Sequence, residues 1–174
     1  MGLAEKYPVR YTVKDWERWQ GDWELVEGVP YAMASPRPIN QRLLARITRI
    51  LDTMFDNCPN CGVYVELDWY ISGDTIVRPD LLVFCGEVPE KLEDKPEMVI
   101  EIVSPSSKAM DEGLKFELYQ EQKVPYFVLV YPEDKTFVVY ELKDRKYVLK
   151  EDRKFYLKGC ELELDFTEVF YGLV

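Results

Sequence analysis

Two short apolar runs each carry one carboxylate in their interior: Asp80 in IVRPDLLVF and Glu101 in MVIEIV. Runs of this length, rich in β-branched residues, are expected to be central strands, covered on both faces. In the second run the period of a strand puts Val99, Glu101 and Val103 on one face and Ile100 and Ile102 on the other. Glu101 is therefore expected to be drawn out of bulk water. A buried carboxylate must be neutralised, paired or bound to a cation, because its isolated desolvation costs several kcal/mol or more. Asp80 poses the same problem. Consecutive strands are usually neighbours, so the two acids are expected close together, where repulsion raises one pKa unless a cation bridges them. Oxygen ligands suit Mg²⁺ or Mn²⁺, and the chain contains no His to favour a softer metal.

The remaining pattern surrounds these strands with helices. Residues 13 to 20 read as a short helix, followed by a hairpin in which WELVEG and PYAMAS turn at Gly28, with Glu27 at the turn. From Gln41 to Asn57, Leu43, Leu44, Ile47, Ile50, Leu51, Met54 and Phe55 recur at helical spacing. The opposite face of that helix carries Arg42, Arg46 and Arg49, either a solvated stripe or a row of phosphate contacts. Val63 to Ile71 alternates as one half-buried strand, and an acidic, Pro-bearing loop fills Glu87 to Glu97. A helix over Lys108 to Gln122 precedes the strand YFVLVY, a PEDK turn and the strands TFVVYEL and RKYVLK, and the tail from Phe155 is β-rich or irregular. The sum is one α/β (α+β) domain over 1–174, a mixed sheet with helices packed on it.

Composition excludes some classes and weighs on others. No apolar stretch approaches the roughly 20 residues of a spanning helix, so a cytoplasmic protein with no membrane contact is expected. The net charge of −10 opposes nonspecific nucleic-acid binding, unless positive charge is concentrated on one face and a cation occupies the acidic site. Cys58 and Cys61 form a CxxC, with Cys85 and Cys160 far off. That spacing matches no zinc ribbon, and a CxxC after a helix is poorly placed for redox chemistry, so two ordinary loop thiols are expected.

In the helix over Lys108 to Gln122, Asp111, Lys115, Tyr119 and Gln122 lie along one edge of the stripe formed by Met110, Leu114 and Leu118. Lys115 can thus lean toward the sheet, or lay its alkyl stem on apolar surface with the ammonium in water. Each acid likewise has a plainer alternative, an ion pair, and Arg78 is near enough to Asp80 in sequence to supply one. Two acids in successive apolar strands, followed by a helix bearing an amine, favour the metal site.

The ordered set ELVEGVPYAMASP, Gln41 opening a helix, VRPDLLVF, VIEIVSPSS, KFELYQEQKVPYFVLVYPE and VVYEL resembles the Uma two family of restriction endonucleases, of the PD-(D/E)XK nuclease superfamily. The resemblance spans nearly the whole chain and implies a restriction-endonuclease-like fold. It implies that Asp80 and Glu101 hold Mg²⁺, and that Lys115 supplies the amine, since the position two residues after Glu101 is Val103. Glu27 matches an acidic position that adds a ligand or orients a metal-bound water, and Gln41 one that contacts phosphate or such a water. One departure is the absence of the His that relatives often carry just before that Gln, where this chain has Asn40. The expected function is Mg-dependent hydrolysis of DNA phosphodiesters, with Arg42, Arg46 and Arg49 on the backbone. A homodimer is expected, because cutting both strands needs two sites. The alternatives are a catalytically idle binding or interaction domain on the same fold, and a metal-independent hydrolase using Glu27 and Glu101 as acid and base.

Overall fold

A computed structural model of the chain describes residues 1–173. Two four-residue helices, α1 (Leu3–Lys6) and α2 (Val13–Trp16), lead into the hairpin β1 (Trp23–Val26) and β2 (Val29–Ala32). The amphipathic helix α3 (Pro38–Phe55) is followed by β3 (Cys61–Val65), β4 (Trp69–Ser72), β5 (Thr75–Val77), β6 (Leu81–Cys85) and β7 (Met98–Ile102). A π-turn over Met110–Leu114 runs straight into α4 (Lys115–Glu121). Then come β8 (Tyr126–Tyr131), β9 (Thr136–Lys143), β10 (Lys146–Leu149), β11 (Lys154–Leu157), β12 (Cys160–Glu163) and a 3-10 turn over Phe166–Phe170.

The main sheet has the order β10-β9-β8-β7-β6-β3, with β7 and β8 parallel and the other pairs antiparallel. A parallel pair needs a crossover, and α4 provides it. Every residue of β6 and β7 is buried, as expected of central strands. On one face the stripe Leu43, Ile47, Leu51 and Phe55 of α3 packs with Ile100, Ile102 and the C-terminal Phe155 and Phe166. On the other, Leu118 and Tyr119 of α4 pack with Val99, Val103, Phe127 and Trp69. The alternation read in VIEIV thus divides the two cores. A smaller antiparallel sheet, β2-β1-β5-β4, adjoins the second core through Val26, Trp69 and Val77, and β11 pairs with β12 as a separate hairpin.

Several local expectations are corrected. Val63 to Ile71 is not one strand: β3 belongs to the main sheet and β4 to the small one, and the chain breaks at Glu66, which takes φ 50°. IVRPDLLVF divides in the same way, because Pro79 has no N–H to give a ladder, and Arg78 to Asp80 link β5 to β6. Alternating hydrophobicity persists through both breaks, so the period alone concealed them. The helix over 108 to 122 is wider than an α-helix in its first half, and the helix read at 13 to 20 is regular only to Trp16.

The cysteines are not ordinary thiols. Cys58 bonds Cys160 across 102 residues, and Cys61 bonds Cys85, its direct partner in the β3–β6 pairing. The two halves of the CxxC therefore serve different bridges, which spacing cannot disclose. Among the described residues no helix is long and apolar enough to cross a membrane.

Candidate active site

The β6–β7 register, with Leu81 opposite Ile100, brings Asp80 alongside Glu101. The Asp80 N–H donates to Glu101 Oε1 at 3.2 Å, and the Ile102 N–H donates to Asp80 Oδ2 at 2.7 Å. Lys115 comes from the other side of the crossover, with Nζ 3.0 Å from Glu101 Oε2 and 2.9 Å from Glu24 Oε2. The same Glu24 oxygen accepts from the Arg78 N–H at 2.8 Å, so β1 is tied to the link that carries Asp80. The π-turn and the start of α4 present Asp111 and Lys115 inward, 2% and 4% exposed, and Ser107 Oγ donates to Asp111 Oδ2 at 2.6 Å. Tyr119 Oη approaches Glu101 Oε1 at 3.5 Å.

Five carboxylates, Glu24, Glu66, Asp80, Glu101 and Asp111, thus line one cleft of about 290 Å³ with Lys115 among them. Arg78 does not neutralise Asp80. Its guanidinium turns to Asp68 at 2.8 Å and Asp22 at 2.7 Å, so the plainer ion-pair reading of Asp80 does not hold. Burial pushes the Asp80 carboxyl up to about 6, against the Ile102 N–H and Lys115, which favour its ionised form. Glu101 and Asp111 are raised for the same first cause, burial, with Lys115 opposing. Burial would lower Lys115, but Glu101, Tyr119, Glu24 and Asp111 together hold its ammonium well above the usual range. The cleft is short of positive charge. Acids held in that condition, with only oxygen donors, fit a hard divalent cation. Asp80 Oδ1 has no hydrogen-bond partner among the described residues. Among those residues no three His, Cys, Asp or Glu side chains are already gathered round one point, and Lys115 lies between Glu24 and Glu101.

Asp80, Glu101, Lys115 and Gln41 therefore share the cleft, and Glu27 does not. Glu27 and Gly28 form a two-residue hairpin turn between Val26 and Val29, with φ 47° and 80°, as a type I′ turn requires. A Cβ at Gly28 would meet Arg10 Cβ at 3.0 Å, so the chain reverses there in close contact. Glu27 is exposed and its N–H goes to Thr75 Oγ1. Its expected place is taken by Glu24, three residues earlier. Glu24 stands between Trp23 and Leu25 in a strand, the same acid-in-apolar-run signal that marked Asp80 and Glu101. Asp111 lay on the expected helix edge but had no assigned role.

Gln41 also opens a shallow groove along α3 that runs past Arg42, Arg46 and Arg49. Arg42 and Arg49 are exposed, whereas Arg46 is half-buried and donates through Nη1 to the Tyr171 and Val169 carbonyls. Two of the three arginines are therefore free for a ligand, and Arg46 is engaged with the C-terminal segment.

A family model described as Uma2, putative restriction endonuclease, matches residues 10–165. The chain is similar to the crystal structure of a putative nuclease belonging to DUF820 from Anabaena variabilis ATCC 29413, with a TM-score of 0.75 and 17% identity. That alignment covers 92% of this chain and 97% of the other, and at this identity it shows a shared fold. No curated protein matches.

Proposed function

The chain belongs to the Uma2 family, and from that premise we propose that it is a divalent-metal-dependent endonuclease acting on DNA. The observation that carries this reading is the convergence of Asp80, Glu101 and Lys115, from the link before β6, from β7 and from a helix, on one cleft. Asp80 and Glu101 are the pair that would hold Mg²⁺ or Mn²⁺, which when bound supplies an activated water and neutralises charge on phosphate oxygens.

The chain's own groups do the rest. The Ile102 N–H fixes Asp80 in orientation, while Lys115, clamped between Glu101 and Glu24, presents a permanent positive charge to developing charge on the phosphate. Asn40 Nδ2 donates to the Ile102 carbonyl at 3.1 Å, which leaves its buried Oδ1 without a partner beside the cleft. Asn40 thus offers an acceptor where relatives carry His. Gln41, Arg42 and Arg49 contact the DNA backbone without reading sequence. Cleavage of both strands uses two copies of the chain.

The purified protein is expected to nick plasmid DNA with Mg²⁺ or Mn²⁺ but not with EDTA, and Asp80→Ala to abolish nicking. Equal behaviour of wild type and variant would sink the reading. The second reading is an idle binding domain on the nuclease fold, favoured by the saturation of Lys115 by two acids and by the net charge of −10. It predicts no metal-dependent cleavage and no heat of Mn²⁺ binding in calorimetry.

A further inference from the structure

Arg37 immediately precedes α3 at the rim of the cleft. Its Nη1 is bonded at 2.5 Å to Glu133, in the turn between β8 and β9. Its Nε and Nη2 are shut off from solvent and have no hydrogen-bond partner. N–H groups deprived of both water and an acceptor are unfavourable, and native proteins seldom leave them so. The compensating ion pair is weak, because the Glu133 side chain is 61% exposed and that of Arg37 36%. The guanidinium therefore rests where one well-hydrated partner holds it and two of its three nitrogens are idle. Leaving that position costs little.

A planar fork of donors is satisfied by an anion offering several oxygens at once, and phosphate does this better than a single carboxylate oxygen. The cleft also requires such a cation at its edge. Glu24, Asp80, Glu101 and Asp111 together repel an approaching phosphate, while Lys115 is buried and already paired twice. We infer that Arg37 is parked on Glu133 in the free protein and transfers to a phosphate of the nucleic acid on binding, so that Glu133 competes with the substrate for it. This rests on the nuclease reading and deepens it, by assigning a phosphate subsite at the start of α3 and a carboxylate that gates it.

The test is the KM and kcat of plasmid nicking, with the melting temperature of each variant. Arg37→Met is expected to raise KM tenfold or more while the melting temperature holds or rises, since it removes two unsatisfied buried donors. A purely structural Arg37 would instead lower the melting temperature. Arg37→Lys, which keeps the charge but not the fork, is expected to raise KM nearly as much. Glu133→Gln is expected to lower KM several-fold, more than Asp134→Asn at the exposed neighbouring acid, and to have no effect in the Arg37→Met background. An unchanged KM in Arg37→Met, or a Glu133→Gln effect that persists without Arg37, overturns the inference while leaving the nuclease reading intact. A wild-type protein that does not cut overturns both.

Discussion

Asp80 and Glu101 are joined through the backbone, not side chain to side chain: the Asp80 N–H donates to Glu101 Oε1, and the residue after Glu101 donates its own N–H to Asp80 Oδ2. Each acid is thus oriented by the backbone of the segment that carries the other. The pair is set before any cation arrives, which is the preorganisation a metal site needs.

That reciprocity separates two substitutions at one position. Asp80→Asn keeps an acceptor for the Ile102 N–H, so at pH 4 to 5, where Asp80 is itself protonated, its melting temperature is expected to stay near that of wild type. Asp80→Ala strands that N–H and is expected to cost about 1–3 kcal/mol in denaturant unfolding. Nicking should fall at least about 100-fold in both, since a metal's charge stabilisation amounts to several kcal/mol. An active Asp80→Asn would exclude the carboxylate as a ligand.

The raised carboxyls fix the sign of a pH dependence. Asp80 sits at about 6 in the fold against an ordinary 3.8, so between these values the folded chain binds the proton more tightly than the unfolded one. Stability without metal is then greatest below pH 4 as far as this group is concerned, and falls as pH rises to about 6, by roughly 2–3 kcal/mol. Glu101 and Asp111 push the same way. Melting in EDTA across pH 4 to 8 should show the decline, Asp80→Asn should flatten it, and Mg²⁺ should stabilise most above pH 6.

Lys115→Met removes the cation between Glu24 and Glu101 and leaves two buried acids facing each other. Loss of one member of a buried pair typically costs about 3–5 kcal/mol, and that loss is expected in EDTA. A bound divalent cation restores positive charge at the same place, so saturating Mg²⁺ should recover part of the stability without recovering nicking. Equal destabilisation with and without Mg²⁺ would show that the cation binds elsewhere.

The first strand offers a paired control. Glu27→Ala changes an exposed turn residue and is expected to leave nicking unchanged and stability within about 0.5 kcal/mol. Glu24→Gln frees Lys115 from one of its two acids and is expected to lower kcat about tenfold or more, with a smaller change in KM. A reversed order of effects would restore Glu27 to the site.

The sequence carried the parts of the site that obey a period. Glu101 sits among Val99 and Val103, and the amphipathic stripe of α3 packs from Leu43 to Phe55. Lys115 on a helix edge was legible for the same reason. The remainder depends on contacts distant in sequence. Glu24 and Lys115 are 91 residues apart and meet only because the small sheet leans on α4. Asp68 draws Arg78 away from Asp80 through a break in a strand whose alternation continues unbroken. The cysteine pairings follow from which strands lie side by side, which spacing along the chain does not encode.

The bridge from Cys58 to Cys160 encloses Asp80, Glu101, Asp111, Lys115 and the exposed turn at Glu133 to Lys135. A protease that severs the backbone at that turn would therefore leave both fragments on one covalent body. Such a clipped molecule would run at full mass on a gel until a reductant was added.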